Sequence, residues 1–348
     1  MTSEAIRTYG AREIKKHLDA MRAEVEGVRQ GQDIEYIHRM RVASRRMRST
    51  LTLFGEHLPK QKRSHIARDV RDVTQALGEA RDLDVQLESL KAALPELGSA
   101  RYVPGLRRLE LRLEQQRKEI QGHVNHAMDE LEQDDTLNRI EQWIAPFLSD
   151  TGNVFLYSPA LYELAFVGIN ARIQALLGHV PYIHDPANIT ELHAMRISAK
   201  RLRYTLEAFD DLYSGKLKPF ISQTKSMQDE LGLVHDLDVW IALVPQFISE
   251  ERDRITTYFG HDGPIKRLLP GLVAFQKSRM ALRDAAYQDY IGHWDKLEAE
   301  QVWPRLLQLI NTPLDLELAL RALRLARENP ETAPGGAESG PEEGQPED

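Results

Sequence analysis

The 348-residue chain contains no cysteine. That removes disulfides, thiolate catalysis, cysteine zinc sites and iron–sulfur clusters, and it fits a reducing compartment. No apolar leader follows Met1, where the chain opens MTSEAIR, and uninterrupted apolar runs such as residues 239–244 fall far short of a bilayer span. The expectation is a soluble, cytoplasmic protein. Signatures of catalysis are missing as well: there is no glycine-rich phosphate loop, no His-Glu-x-x-His and no nucleophile elbow. A non-enzymatic protein without cofactor or metal is therefore expected. Glycine and proline, 21 and 17 residues, are too few for a fibrous or wholly disordered chain, and 42% hydrophobic with 28% charged residues is globular but polar.

The formal charge of −8 at first argues against an anionic partner, but seven of the 53 carboxylates fall in residues 328–348, which hold no Lys or Arg. The remaining body is nearly neutral, so the distribution of charge has to identify the partner. Residues 328–348 are rich in Gly and Pro and lack large apolar side chains, so they cannot repay their ordering entropy and are expected to form a disordered acidic tail. Upstream, apolar residues recur every three or four positions through segments rich in Ala, Leu, Arg and Glu, and alternating strand-like runs are scarce. The body is predicted to be all-α. Breaks are expected at residues 31–33, 55–59, 95–99, 150–153, 181–186, 214–215, 260–264 and 311–313.

An internal repeat organises the body. Residues 37–54, IHRMRVASRRMRSTLTLF, match residues 192–209, LHAMRISAKRLRYTLEAF, at an offset of 155. A second block, LGEARDLDV at 77–85, matches LGLVHDLDV at 231–239 at an offset of 154, and a weaker Pro-Gly-Leu match links 104–106 with 270–272. The chain thus reads as one domain over 1–325, built of halves spanning about 1–150 and 154–312 and a C-terminal helix over 313–327. Two units this alike are expected to pack about a pseudo-twofold axis.

On a helical wheel Arg41, Arg45 and Arg48 fall within about 80° of His38, while Met40, Ala43, Met47, Leu51 and Phe54 lie roughly opposite. The second copy repeats this with His193, Arg196, Lys200 and Arg203. Arg46 and Arg201 sit beside each stripe. Solvated helical faces normally mix acids with bases, yet residues 36–71 hold ten Lys or Arg against Glu56 and Asp69, and residues 193–225 hold seven against three acids. Stacked like charges destabilise a protein unless an anion resides among them, and arginine grips phosphate oxygens in two places. Lys62, Arg63, Arg68, Lys218 and Lys225 are expected to extend the basic wall. His38 and His193 fit two roles: packing at the helix start, or donation to phosphate after protonation. The spacing leaves both open. Neither has a second metal ligand three or four residues away.

Asp82, Asp84, Asp236 and Asp238 of the second block are assigned the structural role of holding the cationic helix's arginines. His235-Asp236 imitates a metal pair, but Arg81 stands where His235 does, so the repeated feature is the aspartate. Gly78 and Gly232 are expected to permit close helix approach or a bend. Arg107, Arg108, Arg112, Arg117 and Lys118, with Lys277, Arg279 and Arg283, are expected mainly on solvated faces.

The His-x-Met-Arg-(Val/Ile)-(Ala/Ser)-x-(Arg/Lys)-Arg-(Met/Leu)-Arg pattern at residues 38–48 and 193–203, followed about forty positions later by Leu-Gly-x-x-(Arg/His)-Asp-Leu-Asp, resembles the CHAD family of α-helical domains. The resemblance covers nearly all of residues 1–325. It implies two repeated helical bundles around a basic central groove or pore, non-enzymatic binding of inorganic polyphosphate, and association with polyphosphate granules. It also implies phosphate contacts from His38, Arg41, Arg45, Arg46 and Arg48 and from His193, Arg196, Lys200, Arg201 and Arg203. Lys200 departs from Arg45 and loses the bidentate fork. A triphosphate-tunnel enzyme would have to be a separate partner, as would a granule protein. An alternative is an RNA or single-stranded DNA binder using the same arginines, but only Tyr36 and Tyr204 flank the stripes as stacking platforms. A role as accessory subunit of a phosphate-processing enzyme is a further alternative. No membrane partner is expected.

Overall fold

The computed structural model describes residues 2–31, 33–148 and 158–328, and among them there are helices and no strand. The first half supplies α1 (Thr2–Gln30), α2 (Ile34–Phe54), α3 (Lys60–Glu96), α4 (Val103–Gln133) and α5 (Thr136–Ile144). The second supplies α6 (Pro159–Leu177), α7 (Ile189–Phe209), α8 (Lys218–Phe259), α9 (Ile265–Ala299) and α10 (Val302–Glu328). Residues 150–153, read as the join, and those beyond Glu328, read as the acidic tail, lie outside the described residues.

Local chemistry accounts for most boundaries. The Asp33 carboxylate accepts from the Glu35 amide at 2.9 Å and caps α2, and Gly260, at φ 76°, closes α8 in the left-handed conformation that side chains disfavour. Two boundaries fall at left-handed residues other than glycine: Asp135 (φ 50°) separates α4 from α5, and Gln301 (φ 51°) separates α9 from α10, with Pro304 in the turn that follows. Conversely, Pro313 lies inside α10 rather than at a break. Leu306 and Ile310, fully buried in the core that α10 shares with α6, hold the helix in place there, so packing overrides the local preference. Pro104 opens α4, whereas its counterpart Pro270 lies inside α9.

Each half has its own core. Ile14, Leu18, Met40, Met47, Val70 and Leu77 belong to the first, and Ile169, Met195, Leu202, Met227, Tyr290 and Trp294 to the second. A third cluster joins them, with Leu87, Leu90, Leu106 and Leu109 packed with Trp240, Val244, Leu272 and Phe275. By length and composition alone, Pro159–Tyr182 and Lys218–Phe259 are apolar enough to cross a membrane, although polar residues interrupt their apolar runs. Their buried residues, Leu161, Ala165 and Ile169 in one and Met227, Leu231 and Val244 in the other, pack within these cores.

Equivalent elements meet each other. The rings of Phe54 and Phe209, the last residues of α2 and α7, lie 5.4 Å apart between centroids. A Cβ on Gly105 would stand 2.1 Å from the Leu268 carbonyl oxygen, and one on its counterpart Gly271 2.0 Å from that of Tyr102. The α4–α9 crossing therefore requires both glycines. Ion pairs repeat in the same register, Arg117 Nε to Asp84 Oδ1 at 2.7 Å and Arg283 Nε to Asp238 Oδ1 at 2.9 Å. Glu251 of α8, fully buried, receives Arg108 and Arg112 of α4, each at 2.6 Å.

Candidate polyanion-binding groove

The four helices that carry the two repeated blocks, α2, α3, α7 and α8, together with α9, enclose an open groove of about 810 Å³. The first half places His38, Arg41 and Arg81 in its lining, and the second places His193, Arg196, His235 and Arg279. The amphipathic pattern dictates this arrangement. Met40, Ala43 and Met47 on α2, and Met195, Ala199 and Leu202 on α7, sink into their own bundles and turn the basic stripes towards the other half. Gly78 and Gly232 lie beneath the stripes, where a Cβ would come 3.7 Å from Arg41 Nε and 3.6 Å from Arg196 Nε. What approaches these glycines is thus a guanidinium, not a neighbouring helix backbone.

The cations are unevenly neutralised. Of the lining arginines, Arg41 lies 3.2 Å from Asp82, Arg81 3.6 Å from Glu88 and Arg279 3.7 Å from Glu96, while Arg196 makes no ion pair among the described residues; nor do Arg45, Arg48, Lys200 and Arg201, which lie outside the lining. The buried Nε atoms of Arg41 and Arg196 have no hydrogen-bond partner among the described residues. Burial, with repulsion from Arg45, Arg196, Arg41 and Arg201, pushes the Lys200 amine down from 10.5 to about 7. Burial also lowers Arg45, opposed by Tyr204 and reinforced by Arg41, Arg196 and Arg203. The imidazoles respond alike: burial lowers His38, with Arg81 adding to it, and lowers His193, with Arg196 and Lys200 adding. His235 falls to about 4 through burial and then Arg196. Its Nδ1 lies 3.0 Å from Nδ1 of His193, so one ring donates to the other. A bound anion would oppose each of these shifts by favouring the charged forms.

Several expected contacts are elsewhere. Arg46 Nε donates to Glu207 Oε2 at 2.9 Å beside a separate cavity lined by Glu13, His17 and Thr50, and Arg203 lies 3.5 Å from the same carboxylate. Both are drawn away because Glu207 faces the α2–α7 seam. The proposed extension of the basic wall does not reach the groove lining. Arg63 donates to the Gly55 carbonyl at 3.0 Å, Arg68 sits beside Asp69 at 3.8 Å, and Lys218 lines a cavity with Asp210 and Asp211. Lys62 and Lys225 are exposed outside it. Of the aspartates, Asp82 holds Arg41 as expected and Asp236 lines the groove, its carboxyl raised by burial against the pull of Arg196. Asp84 and Asp238 instead grip Arg117 and Arg283 of the following helices, because their side chains point into the α3–α4 and α8–α9 seams. Arg108, Arg112, Arg117, Arg279 and Arg283 are accordingly not on solvated faces.

Three groove residues carry a role the sequence does not assign them. Arg81 and His235 occupy the variable position just before the repeated Asp-Leu-Asp, and their shared basic character was the available signal. Arg279 is 6% exposed, sits 4.9 Å over the Phe275 ring, and left no signal because the aligned residue of the first half is Leu113.

The sequence model of the CHAD domain matches residues 12–245. The chain belongs to the CHAD domain family. CHAD domains are associated with polyphosphate-related proteins. The fold is similar to that in the crystal structure of the CHAD domain from the plant Ricinus communis, at 22% identity over 82% of this chain and 91% of that one, with a TM-score of 0.57. It is also similar to PptA from Streptomyces chartreusis, at 18% identity over 83% and 99% of the two chains and a TM-score of 0.56. These likenesses are of CHAD fold alone. No curated protein sequence matches the chain.

Proposed function

We propose that the chain is a non-enzymatic binder of inorganic polyphosphate, held in the groove by His38, Arg41, His193 and Arg196, with Arg45 and Lys200 of the same two stripes adding charge from outside the lining. The observation that carries this reading is a pair of guanidiniums, Arg41 and Arg196, brought to one groove from the two halves with their buried Nε atoms lacking a hydrogen-bond partner among the described residues. Leaving buried donors unpaired is costly, and a bound polyanion would satisfy them. The reciprocal contacts of Gly105 with Leu268 and Gly271 with Tyr102 support a pseudo-twofold arrangement, which suits a polymer whose two directions are chemically alike. With no sequence to read on the polymer, charge neutralisation and counterion release suffice for recognition. In this reading the protein works in the cytoplasm at polyphosphate granules, alongside a separate polyphosphate-metabolising enzyme or granule protein.

Calorimetric titration with long-chain polyphosphate and with charge-matched single-stranded RNA, each at two salt concentrations, tests it. Tight, strongly salt-dependent binding of polyphosphate alone is expected, and Arg41→Glu with Arg196→Glu should reduce affinity at least tenfold while Lys225→Glu changes it less than twofold. Equal or better binding of RNA, or equal losses in both variants, would overturn the reading.

A further inference from the structure

The two halves of the groove are not equivalent. The paired ion pairs Arg117–Asp84 and Arg283–Asp238, with the paired Gly105 and Gly271 contacts, fix which residue of one half corresponds to which of the other. In that register the first half carries Glu79, Gln116 and Glu119, all exposed, as a solvated helical face should. The second half carries Leu233, Leu282 and Ala285 at the corresponding positions, and all three line the groove. Leu233 is 54% and Leu282 46% exposed. Behind them Leu237 and Trp240 complete an apolar wall. The same chain therefore supplies its own control: the fold tolerates polar residues here, and one half has replaced them with aliphatic ones facing a concave site.

A chain of bare phosphates gains nothing from that wall. We infer that the groove also takes a phosphate or diphosphate ester of an aliphatic alcohol, its charged end among Arg41, Arg196, His193 and His235 and its hydrocarbon against Leu233, Leu282 and Ala285. Charge complementarity places the head, and burial of half-exposed leucines holds the tail. Aliphatic rather than nucleobase chemistry follows from the wall itself, since its one aromatic ring, Trp240, is 2% exposed and offers no face for stacking. The concave setting fits a single free molecule rather than a membrane surface.

This inference rests on the reading of the cationic cluster as a phosphate site, and the test separates the two. Octyl phosphate below its micellar concentration, inorganic phosphate, adenosine monophosphate and long-chain polyphosphate are titrated calorimetrically into the full chain. Octyl phosphate should bind at least tenfold more tightly than inorganic phosphate, with a negative heat-capacity change. In Leu233→Gln/Leu282→Gln, which restores the polarity of the other half, that ratio should fall below threefold, with helicity and melting temperature confirming the fold. Polyphosphate binding without any preference for octyl phosphate over inorganic phosphate would sink the aliphatic subsite and leave the cationic site standing. Failure of all four ligands would remove both. Adenosine monophosphate binding as tightly as octyl phosphate, or sedimentation with phosphatidic acid vesicles without octyl phosphate binding, would also overturn the inference.

Discussion

Lys200 is the residue at which chemistry and sequence diverge most usefully. Its counterpart is Arg45, and the loss of the guanidinium fork is visible in the sequence; the consequence for protonation is not, because it depends on cations from the opposite helix. With its amine at about 7 in the free protein against an ordinary 10.5, Lys200 is largely neutral between those values. A bound polyanion stabilises the charged form, so binding takes up a proton in that window. Affinity should therefore fall as pH rises from about 7.5 to 9.5, by up to tenfold per unit, and calorimetry in buffers of different ionisation enthalpy should show net proton uptake approaching one. Lys200→Arg stays charged throughout and should flatten both. A wild-type affinity independent of pH across this range would mean that the amine does not meet the ligand.

Elements were read more surely than their junctions. The ten helices follow from three- and four-residue periodicity, and both basic stripes from two aligned 18-residue strings. The junctions at Asp135 and Gln301 were invisible because left-handed residues other than glycine carry no strong sequence mark, and Pro313 misled because packing against α6 outweighs one lost backbone bond. The glycines show the same limit. Gly78 and Gly232 were legible as repeated residues, whereas the close backbone contact belongs to Gly105 and Gly271 of the weakest repeat. Gly105→Ala or Gly271→Ala would drive a methyl into a carbonyl oxygen of the crossing helix, and each should lower stability by about 1–3 kcal/mol in denaturant titration. Gly78→Ala and Gly232→Ala meet only ordinary contact distances with a movable side chain and should be neutral or stabilising by up to about 1 kcal/mol. The reverse ranking would show that the α4–α9 crossing yields more easily than the guanidinium layer.

At the scale of the molecule, several arginines hold helices together, within the halves and between them. Arg112 reaches buried Glu251 across the halves and Arg283 reaches Asp238 within the second, so reversing these charges should destabilise the fold rather than report on binding, although the sequence reads both as solvated. Arg196 is different in kind, since it repels Arg45 across the seam and makes no ion pair among the described residues. Sites built this way cost stability that their ligand restores. Arg196→Gln should leave the melting temperature of the free protein no lower than that of wild type, because a mutually repelling cation is removed. The increase in melting temperature produced by saturating polyphosphate should meanwhile drop by at least half, measured at low salt where screening is weakest. A free-protein melting temperature lowered by several degrees would instead make Arg196 a structural residue that Asp236 depends on, and the groove would lose its claim to be strained in wait for an anion.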